Sequence, residues 1–180
     1  AHRAADLTRK LLGFARKNQL LVAPTRVAEF AGEVVDLLGR TLDPRITLDV
    51  RLDAPDPVAV DGTLVNQALL NLCLNSRDAM PAGGRLTVAA TAVTVSADDA
   101  AGHPDARPGA FVRLSVADTG CGMTAETKAH IFEPFFTTKP VGQGTGLGLP
   151  MVHGIVRQHG GWVDVWSEVG IGTQFDLYLP

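Results

Sequence analysis

DGTLVNQALLNLCLNSRDAMPAGG, residues Asp61 to Gly84, reads as one amphipathic helix carrying a polar stripe. Gln67, Asn71, Asn75 and Asp78 follow one another at spacings of four, four and three, so they stack along one face. Val65, Ala68, Leu69, Leu72 and Cys73 supply the core side. Asp61 is placed to cap the start, and Gly83-Gly84 after Pro81 marks the end. Amides and a carboxylate in such a row are costly unless something satisfies them. Backbone, water, or a hydrated metal ion carrying phosphates would each do so.

Upstream, Ala1 to Gln19 predicts a helix with a narrow seam of Leu7, Leu11 and Phe14 opposite a basic face, as in the end of a coiled element. Leu20 to Ala23 predicts a short strand ended by Pro24. A helix follows on Val27, Phe30, Ala31, Val34, Leu37 and Leu38, and Asp43-Pro44 breaks it. Ile46 to Leu52 alternates as a half-buried strand, and Val58 to Val60 is a short edge strand.

Downstream, Arg85 to Val95 and Phe111 to Asp118 are strands, joined by a long polar hairpin loop from Ser96 to Gly109. Thr124 caps a short helix to Ile131, and Phe132 to Thr145 has no period. A helix from Leu147 to His159 leads into two closing strands, Trp162 to Trp166 and Thr173 to Leu179. Five or six strands alternating with three or four helices predict an α/β fold, a two-layer sandwich with a mixed sheet.

The chain has 180 residues, 46% of them hydrophobic, which suits one domain with a real core. No apolar run is long enough to span a membrane. The net charge of −3 gives no basis for a nucleic-acid surface. Two cysteines, Cys73 and Cys121, make no disulfide framework and suggest a reducing, cytoplasmic setting.

Two further stretches carry chemistry. In FVRLSVAD, Asp118 falls in phase with the inward Val112, Leu114 and Val116, just before Thr119-Gly120-Cys121-Gly122. Such a carboxylate needs a donor: its own turn, or the exocyclic amine of a purine lying on the glycines. In KPVGQGTGLGLPMVHGIV, Gly142, Gly144, Gly146 and Gly148 lead into a helix, whose free N–H groups suit a phosphate. Lys139 stands just upstream. There is no G-x-x-x-x-G-K-[ST], so this is not a P-loop, and no strand precedes the glycines as a dinucleotide fingerprint requires. Phe132, Phe135 and Phe136 are expected to anchor in the core while pinning one end of a lid.

Together these stretches resemble the catalytic, ATP-binding domain of sensor histidine kinases, within the GHKL ATPase superfamily. NLCLNSRDA resembles the N box, Asp118 to Met123 the first glycine box, Phe132 to Lys139 the F box, and Gly142 to Leu149 the second glycine box. GTQFDLYLP, with Thr173, is similar to the family's last strand. The resemblance covers about Leu20 to Pro180 and implies a Bergerat fold holding ATP and Mg²⁺. It implies nucleotide contacts from Asn71, Asn75, Asp78, Asp118, Gly120, Gly122, Met123, Lys139, Gly144, Thr145, Gly146, Leu147, Gly148 and Thr173. Asn75 and Asn71 would hold the metal through amide oxygens, and Asn75 and Lys139 would act on the reacting phosphate. Asp118 would accept from the adenine amine, and Gly120 and Gly122 would leave room for the base.

The implied reaction moves the γ-phosphoryl group to a histidine. No histidine here matches the family's acceptor: His2 is followed by Arg3 and Ala4, not by an acid. Residues 1–19 resemble instead the end of the second helix of a dimerisation and histidine-phosphotransfer domain. The implied partners are that domain, in a homodimeric parent, and a response regulator or receiver domain; neither nucleic acid nor membrane contact is expected of this stretch. An ATP-driven clamp is the rival enzyme, but its helix carries a glutamate base and Thr63 to Met80 has none. A degenerate docking module is the non-enzymatic rival, and the intact glycines and Asn75 speak against it. Asp118-Thr119-Gly120 also spells the aspartic-protease triplet, in the wrong structural context. Cys121 has no evident histidine partner for nucleophilic work.

Overall fold

The computed structural model describes residues 20–54, 57–101, 103–140 and 144–180. The helix expected over residues 1–19, the turn at Pro55, and Gly142 lie outside them. Seven strands and five helices occur among the described residues: β1 Ala23–Thr25, α1 Val27–Thr41, β2 Ile46–Leu52, β3 Val58–Val60, α2 Gly62–Asp78, β4 Gly84–Val95, α3 Ala97–Ala101, β5 Gly109–Asp118, α4 Ala125–His130, α5 Gly148–Gln158, β6 Trp162–Glu168 and β7 Gly172–Leu179.

The main sheet has the order β2-β4-β5-β7-β6, with β2 parallel to β4 and the other neighbours antiparallel. It is therefore mixed, as expected. Its inward residues, among them Leu86, Val88, Leu114, Val116, Phe175 and Leu177, form one core with the apolar sides of α1, α2 and α5. α2 buries Val65, Ala68, Leu69, Leu72 and Cys73, the side its periodicity selects. Each fully buried leucine there contributes about 1.5–3 kcal/mol, which sets the rotation of the helix and so turns the stripe outward.

Asp61 caps α2, its carboxylate accepting from Thr63 N at 3.1 Å and Leu64 N at 3.3 Å. The helix stops at Asp78, before the glycines. Ala79 to Gly83 make the turn, and Gly83, at φ 92, passes so near Arg45 O that a Cβ would stand 2.6 Å from it.

Three expectations need correction. The first strand is Ala23–Thr25 and contains Pro24, not Leu20 to Ala23. It pairs with β3 in a separate two-stranded sheet, an edge position where the missing proline N–H costs no ladder bond. The β4–β5 connection is not merely a loop: it holds α3 and folds back over the outer sheet face. There Ala100 and Ala106 pack on Val95, Phe111 and Trp162. Among the described residues the count is seven strands with both short ones, β1 and β3, included, and α3 is the helix that was not expected.

Candidate functional site

β5 and β7 run side by side, with Asp118 opposite Thr173, and both strands end at the same cleft. The cleft, about 410 Å³, lies between α2, the ends of these strands and the segment from Ile131 to Gly148. A smaller cavity of about 270 Å³, lined by Arg113, Trp162, Asp164 and Tyr178, lies under the β4–β5 connection and has no glycine cradle.

Asp118 is 9% exposed at the floor of the large cleft. Gly120 N donates to its Oδ1 at 2.9 Å, the bond of its own turn, and Ser76 Oγ donates to Oδ2 at 2.8 Å. A carboxylate offers about four lone-pair sites, so it can still accept from a ligand. Ser76 was not singled out from the sequence. The signal was present: a serine on the apolar side of α2 is 2% exposed and must find a partner across the core.

The stripe divides. Asn71, Asn75 and Asp78 line the cleft, whereas Gln67 is exposed and lies outside it. Asn71 Nδ2 rests 3.6 Å from Met151 Sδ. Lys139 reaches over from the opposite wall, its Nζ 2.6 Å from Asp78 Oδ2 and 3.4 Å from Asn75 Oδ1. Partial burial pushes the Asp78 carboxyl up, but the hydrogen bonds from Lys139 and Arg77 outweigh it and hold it below its ordinary value.

The glycines answer first to the protein's own backbone. A Cβ on Gly120 would stand 2.7 Å from Ala79 O, and one on Gly122, at φ 65, would strike Glu168 O. Gly122 lines the cleft and Gly120 does not. Gly146, at φ 63, leaves no room for a Cβ beside Phe135, whose N–H donates to Gly146 O at 2.9 Å. Gly148 differs: a Cβ there would stand 3.7 Å from Asn75 Nδ2 and 3.8 Å from Asn71 Oδ1, so its absence widens the gap to the stripe. Gly144, Thr145 and Leu147 line the same wall; Thr145 is exposed and its hydroxyl accepts from Leu147 N at 3.4 Å.

Met123 and Thr173 line the base of the cleft, held by Ser167. The Ser167 hydroxyl accepts from Met123 N at 2.9 Å and sits 2.9 Å from Thr173 Oγ1. Of the three phenylalanines, Phe132 packs on the core and stacks on His153 at 4.8 Å. Phe136 is half-buried and lines the cleft. Phe135 corrects the expectation of a core anchor: it is 64% exposed at φ 71, held by its backbone to Gly146.

No described group of three or more His, Cys, Asp or Glu side chains gathers as a metal site. The Asp78 and Asp118 carboxylates of the cleft are already engaged by Lys139, Ser76 and Gly120, and the amide oxygens of Asn71 and Asn75, near the wall at Gly148, are further oxygen donors suited to a hard cation. Mg²⁺ keeps most of its waters and the ligand's phosphates, so one or two such oxygens fit it.

A helix with an amide stripe, an inward strand-end carboxylate and a glycine-rich opposite wall define a nucleotide-binding ATPase domain. Residues 60–180 match the family described as histidine kinase-, DNA gyrase B-, and HSP90-like ATPase, and the chain belongs to it. Within that family its similarity is to the sensor histidine kinases, and it is an ATPase-type catalytic domain of their kind. It is 43% identical to sensor kinase CckA of Brucella abortus (strain 2308), across 100% of this chain and 19% of that protein. It is 36% identical to sensor histidine kinase ZraS of Escherichia coli (strain K12), across 89% of this chain and 33% of that protein. The chain thus spans between a fifth and a third of these relatives' length.

Among solved structures, full-length ShkA in complex with AMPPNP superposes with a TM-score of 0.78 at 28% identity, covering 99% of this chain and 36% of that one. The catalytic domain of histidine kinase ThkA, nucleotide-free, superposes at 0.71 and 28% identity, covering 88% of this chain and 95% of that one. No helix among the described residues is long and apolar enough to cross a membrane.

Proposed function

We propose that the chain binds ATP in this cleft and transfers its γ-phosphoryl group to a histidine on a separate helical domain, residues 1–19 being the end of that domain's second helix. The observation that carries this is the pairing of Asp118, still able to accept, with the Asn71–Asn75 amides across one cleft of about 410 Å³. Its similarity to ShkA, solved with AMPPNP, supports the ligand.

In this reading the Asp118 carboxylate accepts from the adenine amine, and Ser76 keeps that carboxylate aimed. Thr173 and Met123 flank the base. The backbone of Gly144 to Gly148 wraps the phosphates, with N–H groups at the start of α5 facing them. Asn75, with Asn71, would hold Mg²⁺, which would neutralise phosphate charge when bound. Lys139 exchanges Asp78 for the outer phosphate as the lid closes. The chain's part in the transfer is positioning, screening of charge and exclusion of water. The acceptor histidine lies elsewhere in a homodimeric parent, a response regulator or receiver domain takes the phosphoryl group onward, and the setting is cytoplasmic.

The test is to mix the chain with a separately produced phosphoacceptor domain and γ-labelled ATP. Acid-labile, base-stable label on the acceptor is expected. Release of free phosphate with no transferred label would instead favour the ATP-driven clamp.

A further inference from the structure

We infer that His159 is a positioning residue for the nucleotide: its ring ties the end of α5 to the start of α2 and so fixes the gap between the glycine wall and the amide stripe. The inference rests on the nucleotide reading above. α2 and α5 run antiparallel. The start of α5, Gly148, faces Asn71 and Asn75, and its end meets Asp61. Ten residues separate Asp61 from Asn71 and eleven separate Gly148 from His159, about 15–17 Å of helix in each case. The paired helices thus have two ends, one at the cleft and one at His159.

At the far end both ring nitrogens are engaged, and the ring is 6% exposed. Nδ1 lies 2.8 Å from Ile155 O; a carbonyl only accepts, so Nδ1 carries the hydrogen. Nε2 accepts from Asp61 N at 2.9 Å. The turn after α5 aims the ring. Gly160, at φ 71, donates to Arg157 O at 2.9 Å, and Gly161 donates to Val156 O at 3.0 Å, a left-handed cap that closes the helix. Asp61 is a junction in turn. Its carboxylate caps α2 and also accepts from Leu21 N at 3.3 Å, where the chain enters the domain.

The two ends are held unequally. No side chain caps the start of α5 and Gly148 offers no side chain to grip α2, so the polar tie there is the 3.6 Å approach of Asn71 Nδ2 to Met151 Sδ, a weak acceptor beside the two bonds of the His159 ring. The angle between the helices near the cleft is therefore governed in part from the far end. Releasing His159 Nε2 frees α5 to pivot, and the backbone N–H groups beside Gly148 move relative to Asn75.

The experiment measures Mg-ATP affinity by calorimetry for wild type, His159→Gln, His159→Asn and His159→Ala, with Tm recorded for each. A glutamine can place an acceptor where Nε2 stood. An asparagine reaches only the Nδ1 position and its bond to Ile155 O. Wild type and His159→Gln are expected to agree within about twofold, with His159→Asn and His159→Ala weaker by about fivefold or more, the value of one lost hydrogen bond. In wild type, the ¹⁵N signature of the ring is expected to show Nε2 without a proton. Equal affinities across the four proteins, or losses that simply follow Tm, would overturn the inference. Wild type failing to bind ATP would sink the nucleotide reading itself, whereas binding with a flat variant series removes only the latch.

Discussion

On one side of the cleft, Asn71, Asn75 and Ser76 ride on a 17-residue helix whose other face is core. On the other side, Phe135, Lys139 and Gly146 lie on backbone with no repeating hydrogen bonds, tied down by Phe135 N to Gly146 O and by Lys139 to Asp78. The helical wall is positioned by burial, so its side chains hold their places without a ligand. The opposite wall is held by a few polar contacts, and one of them, Lys139 to Asp78, uses a group that the proposed phosphates would claim. The difference separates recognition, which needs a fixed template, from closure, which needs contacts that can be exchanged.

The largest expected effect lies on the fixed wall. Asn75→Ala should lower Mg-ATP affinity by about a hundredfold or more while the Tm changes little, because the amide faces the cleft and not the core. Calorimetry with and without Mg²⁺ checks this; unchanged affinity would remove the metal role.

Asp118→Asn should follow, weakening ATP by roughly 10- to 100-fold, the value of a charge-assisted hydrogen bond. The amide can still bond Ser76 and Gly120, so thermal melting should fall far less than binding. An equal loss of fold would leave Asp118 as a turn residue only.

On the movable wall, Lys139→Met should cost a few-fold in ATP affinity and also change an acid limb of stability. The Asp78 carboxyl is depressed when folded, so the stability it contributes is complete above its unfolded value, about 3.9, and is lost as pH falls through the lower folded value. Lys139→Met should flatten that loss below about pH 4. With Asp78 and Lys139 each about a third exposed, the difference should stay under about 1 kcal/mol in chemical denaturation.

The smallest effect concerns the cysteines. Burial pushes the Cys73 thiol up to about 12, while Cys121 is exposed at the mouth of the cleft. A thiol reagent at pH 8 should label Cys121 alone until the chain unfolds, and ATP should slow that labelling. Rapid labelling of Cys73 would mean that the helical wall opens and is not held by burial.

Sequence periodicity alone located α2, its buried face, the inward phase of Asp118 and the strands of the main sheet. These follow from local rules, because a 3.6-residue or two-residue repeat of apolar side chains leaves one way to bury them. Tertiary structure alone decided that Ser76 meets Asp118, that Gln67 falls outside the cleft, that Phe135 faces solvent and that His159 reaches Asp61. Each of these is a contact between segments distant in sequence, or the lack of one, and no repeat within a segment encodes which partner will satisfy a polar group once the core has closed.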